Sequence, residues 1–209
     1  MINIYVGVDP SINSSGVTCL AYEDDKLIKE MYYIIKPDKL TKKEALAEQA
    51  NINRFAYILY SKPEVDKDNN HEVEFAKTWI FKQILADIEE CIKKFIKQTV
   101  PSNMYKLYVC QEGISYGSAQ RTKSVFDLAG LNFLLRMMVI DKLDADHFII
   151  ATPAEIKNKT SGNGNCNKDV MISLFKTLKP DFDLPKLDDI ADSFWMANYV
   201  KNLNDENKL

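Results

Sequence analysis

Residues 5–22 read "YVGVDPSINSSGVTCLAY". An apolar run ends on a carboxylate, Asp9, turns through Pro, Ser and Asn, and restarts at once as Val17 to Tyr22. Two β-branched and aromatic segments this close read as neighbouring strands, with the polar stretch as their turn. Short connections favour antiparallel pairing. An aspartate at the end of a central strand is costly unless something binds it. The identity of that partner is the first functional question the sequence poses.

Working outward, residues 2–9, 14–22 and 26–35 read as three strands. From Thr41 to Tyr60 the apolar spacing turns helical, through Ala45, Ile52, Phe55, Ala56 and Leu59. Residues 61–74 are polar and proline-marked, a loop. A long helix is expected from about Val73 to Lys97, with Trp79, Ile80, Ile84, Ile88, Ile92 and Phe95 at helical spacing. Residues 105–113, "YKLYVCQEG", read as a fourth strand that again ends on a carboxylate, Glu112. A helix over 118–140, a strand over 147–152, a short helix from Pro153 to Lys159, a glycine-bearing loop, and helices over 167–178 and 188–203 complete the chain. The expectation is α/β: a mixed five-stranded sheet flanked by helices, in one domain over 1–209, with a helical insertion over about 36–104.

Composition bounds the function. The 209 residues carry a net charge of −3, so the chain as a whole is not a basic nucleic-acid binder, although an acidic site and a basic groove can cancel in the sum. The four cysteines are scattered without a CxxC pair, and there are only two histidines, which argues against zinc and for a reducing compartment. No stretch approaches a membrane span, and no secretory leader is visible. A cytoplasmic, non-membrane protein is expected.

Four carboxylates stand out in chain order: Asp9, Glu112, Asp189 and Asp192. The first two close strands. The last two lie in "LDDIADSFW" at the start of the final helix, where i, i+3 spacing puts them on one face. Each alone has an ordinary use, as turn former, helix cap or dipole partner. Strand ends and a helix start meeting at one sheet edge would crowd the four, and crowded carboxylates need protons or a cation. Mg²⁺ takes oxygen ligands, and two such ions can clamp both oxygens of a phosphodiester displacement. Basic and aromatic residues follow the same edge: Lys157, Lys159 and Lys168 around the glycine loop, and Tyr116, Arg121 and Lys123 after Glu112, suited to phosphates or an exposed base.

In these segments the chain resembles the RuvC-type Holliday junction resolvases of the RNase H-like superfamily, in a diverged phage or viral form. "GVDPSINSSGV" is similar to that family's first motif and "YVCQEG" to its second. "PAEIKNKTSGNGNCNKDV" is similar to its two lysines across a glycine loop, and "DDIADSF" to its terminal D-x-x-D. The resemblance implies an RNase H-like fold and a homodimeric endonuclease that cuts four-way DNA junctions in recombination or debranching. It implies Asp9, Glu112, Asp189 and Asp192 as ligands of two Mg²⁺ ions, with Mn²⁺ able to substitute, and Asp188 as a helix cap. Lys157 and Lys168 would hold the scissile or flanking phosphate. Tyr116, Arg121, Lys123 and Lys159 would be DNA contacts, and the apolar helix 125–140 the dimer face. Alternative readings are a broader RNase H-like nuclease on flaps or RNA–DNA hybrids, and a junction-binding protein without chemistry. An actin-like kinase would need a second glycine-rich phosphate loop, and none is present.

Overall fold

A computed structural model describes residues 1–100, 104–113 and 124–209. Six strands form one mixed sheet in the order β4-β3-β2-β1-β5-β6. The strands are β1 (Ile2–Asp9), β2 (Ser15–Glu23), β3 (Lys26–Pro37), β4 (Phe55–Tyr60), β5 (Tyr105–Glu112) and β6 (His147–Ala151). β1, β2 and β3 are an antiparallel meander, while β4, β5 and β6 join it in parallel. The C-terminal ends of β1, β3, β4, β5 and β6 therefore share one edge of the sheet. Asp9 and Glu112 are the last residues of their strands on that edge.

The sheet has one strand more than the sequence predicts. The helical stretch expected over 41–60 is helix only over α1 (Lys42–Ala50). Asn51 ends it and a turn reaches Arg54, whose N–H bonds the Asn51 carbonyl at 2.9 Å. The chain then extends as β4, pairing Tyr32–Pro37 of β3 in parallel. Phe55, Tyr57 and Tyr60 are buried, whereas Ile52 and Leu59 of the supposed helical stripe are exposed. Aromatic and aliphatic residues beside an unpaired β3 edge gain more from the ladder than from a helix. The inserted segment is thus α1, β4 and α2 (Asn70–Thr99), not all helix. Helix α2 also starts earlier than expected, because the Asn69 side chain caps it by accepting from the N–H groups of His71 and Glu72.

Strand alternation divides the apolar residues into two cores. Ile4, Val6 and Val8 of β1 pack with Ile84, Ile88 and Phe95 of α2 and with Leu131 and Leu135 of α3 (Ser124–Met138). A π-helical turn over Val139–Leu143 continues α3. Tyr5, Leu20, Tyr32 and Tyr108 face the other way, onto α4 (Pro153–Ser161), α5 (Lys168–Leu178) and α6 (Leu187–Asp205). Gly7 and Asp9 share the parity of Tyr5, so they face α6.

Helix α6 lies directly on the sheet. A Cβ on Gly7 would stand 1.9 Å from the Ser193 carbonyl oxygen and 2.6 Å from the Ala197 nitrogen. One on Gly16 would stand 2.1 Å from the Asp189 carbonyl oxygen. Gly16 is the ladder partner of Asp9. Two positions along, Thr18 Oγ1 and Ser193 Oγ share a buried hydrogen bond at 2.8 Å.

Gly7→Ala therefore has to push α6 off the sheet. It is expected to cost about 2–3 kcal/mol, the scale of an overpacked core, and to lower Tm by roughly 4–12 °C for a chain of this size. Gly130→Ala is the matched control, since among the described residues its Cβ would meet only Phe81 Cε2, at an ordinary 3.6 Å. It is expected to be neutral or stabilising by up to about 1 kcal/mol, as alanine is the better helix former. Equal losses in thermal melts of the two variants would refute the close-approach account.

Candidate active site: an acidic cluster at the sheet edge

Each carboxylate reaches the edge for a local reason. Asp9 ends β1 where the chain must leave the ladder to reach β2. Glu112 ends β5, and the next N–H, of Gly113, bonds the Ala151 carbonyl of β6 at 2.7 Å. Asp189 and Asp192 occupy the first turns of α6, held over Gly16 and Gly7 by the contacts above. The structure brings all four together. The charges acting on Asp9 are those of Glu112, Asp192, Asp189 and Lys168.

Asp188 is not the helix cap. The residue before α6 is Lys186, in the left-handed region and without a side-chain capping bond. Asp188 is inside the first turn and pairs with Lys168 at 3.1 Å. It acts as a partner for the helix dipole and for that lysine.

Lys168 is delivered by α5. The Asn167 side chain caps the helix by accepting from the Val170 N–H at 3.0 Å, and Trp195 Nε1 of α6 donates to the Met171 carbonyl at 3.0 Å. This docking leaves the Lys168 ammonium 3.1 Å from Asp192 Oδ2. Lys157 comes from α4, which starts straight after β6 on a Thr152–Glu155 capping box with Pro153 in its first turn. It lines a small cavity with Glu112, Asp192, Met171 and Trp195, and its charge lowers the pKa of Glu112 and of Asp192. Gly162 caps α4 in the left-handed region, which accounts for one glycine of the loop without a ligand.

Lys159 is not brought to the cluster. It pairs with Glu206 just past the far end of α6. Residues two apart on a helix point to different sides, so Lys157 and Lys159 cannot serve the same site. Tyr116, Arg121 and Lys123 lie outside the described residues. Ser14 is a polar neighbour that sequence reasoning passed over. It is buried, and its hydroxyl donates to Asp189 Oδ2. Its only sequence signal is its place in a serine-rich turn beside Asp9.

Burial is the largest cause pushing Asp9 well above the usual carboxylate range, followed by the charges of Glu112, Asp192 and Asp189. Burial, then Asp192, raises Glu112 to about 7 against the pull of Lys168 and Lys157. Acids this close cannot ionise as freely as separate carboxyls, so each resists giving up its proton. Asp189 and Asp192 are also raised by burial, opposed by the Ser14 hydrogen bond in one case and by Lys168 in the other. For Lys168, burial works against the charge, but Asp192 and Asp188 outweigh it and raise its pKa.

The donor set fits a hard cation, being carboxylate oxygens crowded in a partly buried site with excess negative charge. Among the described residues, however, no three acidic, histidine or cysteine side chains close on one point at ligating distance. Lys168 instead holds Asp192. Also among the described residues, no helix is long and apolar enough to cross a membrane.

No protein-family model matches the chain, and no curated protein matches it in sequence. Solved structures do. The chain is similar to the Thermus thermophilus RuvC structure at TM-score 0.55 and 13% identity, covering 100% of this chain and 98% of that one. It is similar to T. thermophilus RuvC in complex with a Holliday junction substrate at TM-score 0.52 and 12% identity, covering 100% and 97%. A yeast mitochondrial Holliday junction resolvase overlaps at TM-score 0.43 and 12% identity, covering 97% and 84%. The fold is thus RNase H-like. Within that class its layout matches that of RuvC, in a sheet of six strands.

The raised carboxylates set a pH dependence of folding. Between about pH 4.5, where Glu112 would titrate in an unfolded chain, and about pH 7, the folded protein holds protons that the unfolded chain has released. Stability therefore falls as pH rises through that window. In chelator, Tm is expected to fall between about pH 5 and 8, with a shallower slope in Glu112→Gln. A flat or rising Tm over that interval would contradict the assignment.

Proposed function

We propose that this chain is a structure-selective DNA endonuclease that cuts four-way junctions by metal-dependent phosphodiester hydrolysis. The observation that carries the reading is the convergence of Asp9, Glu112, Asp189 and Asp192, from three distant segments, on one edge of an RNase H-like sheet, with Lys168 and Lys157 beside them. Support for the substrate comes from the likeness to RuvC, which has been solved with a Holliday junction.

On this reading the four carboxylates hold two Mg²⁺ ions, with Mn²⁺ as a substitute. Bound there, such ions would activate a water and neutralise charge on the transferred phosphate. The protein's own groups do the rest. Asp9 and Glu112 would have to be ionised to act as ligands. Lys168 exchanges Asp192 for a phosphate oxygen, and Lys157 meets a neighbouring phosphate from the Glu112 side. Tyr116, Arg121 and Lys123 are proposed as contacts to the junction strands. Lys159 is at most an outlying phosphate contact, because Glu206 already engages it. The chain is proposed to act as one domain over 1–209 and as a homodimer in a cytoplasmic setting. Helix α3 supports the dimer: Phe126, Phe133 and Met137 are 81%, 61% and 49% exposed, and Ile140 just beyond is 64% exposed. These positions form a stripe at helical spacing, and water is a poor neighbour for one.

The test is cleavage of a labelled four-way junction with Mg²⁺ beside matched duplex, flap and RNA–DNA hybrid. Paired nicks confined to the junction are expected. Asp9→Asn should lower the rate by roughly 10²-fold or more, the scale of a lost charge-stabilising group, while junction binding in chelator persists. Cleavage spread over flaps, or of the hybrid alone, would overturn the substrate; wild-type-like cutting by Asp9→Asn would overturn the site. For the dimer, Phe133→Glu with Ile140→Glu should halve the mass seen by sedimentation while Tm holds. A wild-type protein that sediments as a monomer at micromolar concentration would remove α3 as a dimer face.

A further inference from the structure

The loop between β1 and β2 carries a chain of contacts beyond the need to turn. Ser15 Oγ accepts from the Ser11 N–H at 3.0 Å and donates to the Ser11 carbonyl at 2.7 Å. Ser11 Oγ in turn accepts from the Asn13 N–H at 3.3 Å. These bonds fix the loop within itself. From outside, the Tyr60 hydroxyl, on the last residue of β4, donates to the Ile12 carbonyl at 2.7 Å. On the inner side, the Ser14 hydroxyl donates to Asp189 Oδ2, and Ser14 is only 7% exposed. A continuous route runs from the edge strand to one carboxylate of the acidic cluster.

We propose that Ser14 is a positioning residue for Asp189, and that Tyr60, acting through Ile12, holds the loop that presents Ser14. The proposal rests on the metal-binding reading of the cluster. Asp192 is held by charge, through the Lys168 ammonium at 3.1 Å. Asp189, by contrast, is held by a neutral hydroxyl. Such a donor fixes one carboxylate oxygen without cancelling the negative charge that a cation would seek. Among the described residues the other oxygen of Asp189 accepts no hydrogen bond. Nothing in the helix start does this job, since Lys186 offers no side-chain cap and the Asp189 N–H bonds back to the Lys186 carbonyl at a long 3.3 Å. A partner that orients a ligand typically changes metal affinity 10- to 100-fold when removed.

The experiment is Mn²⁺ binding, read as free Mn²⁺ by electron paramagnetic resonance, on the full chain without DNA. Wild type, Ser14→Ala, Ser14→Thr, Tyr60→Phe and the Ser14→Ala/Tyr60→Phe double variant are compared, with Asp9→Asn as reference. Ser14→Ala is expected to weaken binding about tenfold at near-unchanged Tm, and Ser14→Thr to restore most of it. Tyr60→Phe should weaken binding in the same direction by a smaller factor. The double variant should be no weaker than Ser14→Ala, because both changes act through one contact. Wild-type affinity in Ser14→Ala would overturn the proposal while leaving the metal reading intact. So would a loss that tracks Tm and that threonine does not rescue, which marks a purely structural serine. Fully additive losses would overturn the role of Tyr60. Wild-type protein that binds Mn²⁺ no better than Asp9→Asn would overturn both this proposal and the metal reading.

Discussion

The site depends on how closely α6 can approach the sheet. An α-helix normally rests on a sheet through an intervening layer of side chains. Here the backbone of α6 touches the backbone of β1 and β2, because Gly7 and Gly16 present no side chain where Ser193, Ala197 and Asp189 pass. Around that contact the packing becomes ordinary again, with Ile190, Phe194 and Met196 in the core beside Tyr5 and Leu20. The buried Thr18–Ser193 hydrogen bond satisfies the polar groups that such an approach traps. Without the two glycines, Asp189 and Asp192 would stand off from Asp9 by the thickness of a side chain. The four carboxylates would then be four separate surface acids.

That closeness has an electrostatic consequence. Acids crowded into a partly buried site cannot all ionise together. The protein answers with two devices of its own, the raised proton affinity of Asp9 and Glu112 and the ammonium of Lys168 against Asp192 and Asp188. Both are exchangeable. A proton leaves when a stronger positive charge enters, and a half-exposed lysine on the first residue of α5 can swing to another anion. A fixed arginine fork would bind the carboxylate more rigidly and exchange less readily.

Much of this was legible in the sequence, and what was not has definite causes. β1, β2, β3, β5 and β6 were readable because each is apolar and bounded by turn residues. The acidic quartet was readable because each member ends or starts an element, where a carboxylate needs a reason to be. β4 was not, since Phe55 and Leu59 satisfy helical spacing while Phe55, Tyr57 and Leu59 satisfy alternation equally well. The tie is broken only by the free edge of β3, a long-range partner that local periodicity does not contain. Lys159 looked equivalent to Lys157 in a linear reading, but helix geometry turns it toward Glu206. Asp188 looked like a cap, although the chain enters α6 through a left-handed Lys186 and needs none of the usual capping side chains. Ser14 was hidden by its own plausibility, for a serine in a turn needs no further explanation until the helix above it is seen.

The edge strand then acquires a purpose that its position alone would not suggest. β4 is far from Asp9 in the sheet, with β3 and β2 between them. A short edge strand of this kind could be simple cover for β3. Its last side chain nevertheless reaches across the strand ends to the β1–β2 loop, where the Tyr60 hydroxyl finds the Ile12 carbonyl. A loop carbonyl beside the acidic edge would otherwise be left to water, and the loop would be free to shift. Strand β4 pairs in parallel with β3 up to Pro37–Tyr60, so the tyrosine is fixed by the ladder just before the chain leaves it. The segment that the sequence presents as an insertion is in this way a support for the loop that follows Asp9. Substitutions in it should then be felt at the carboxylates, several strands away, before they are felt in the fold.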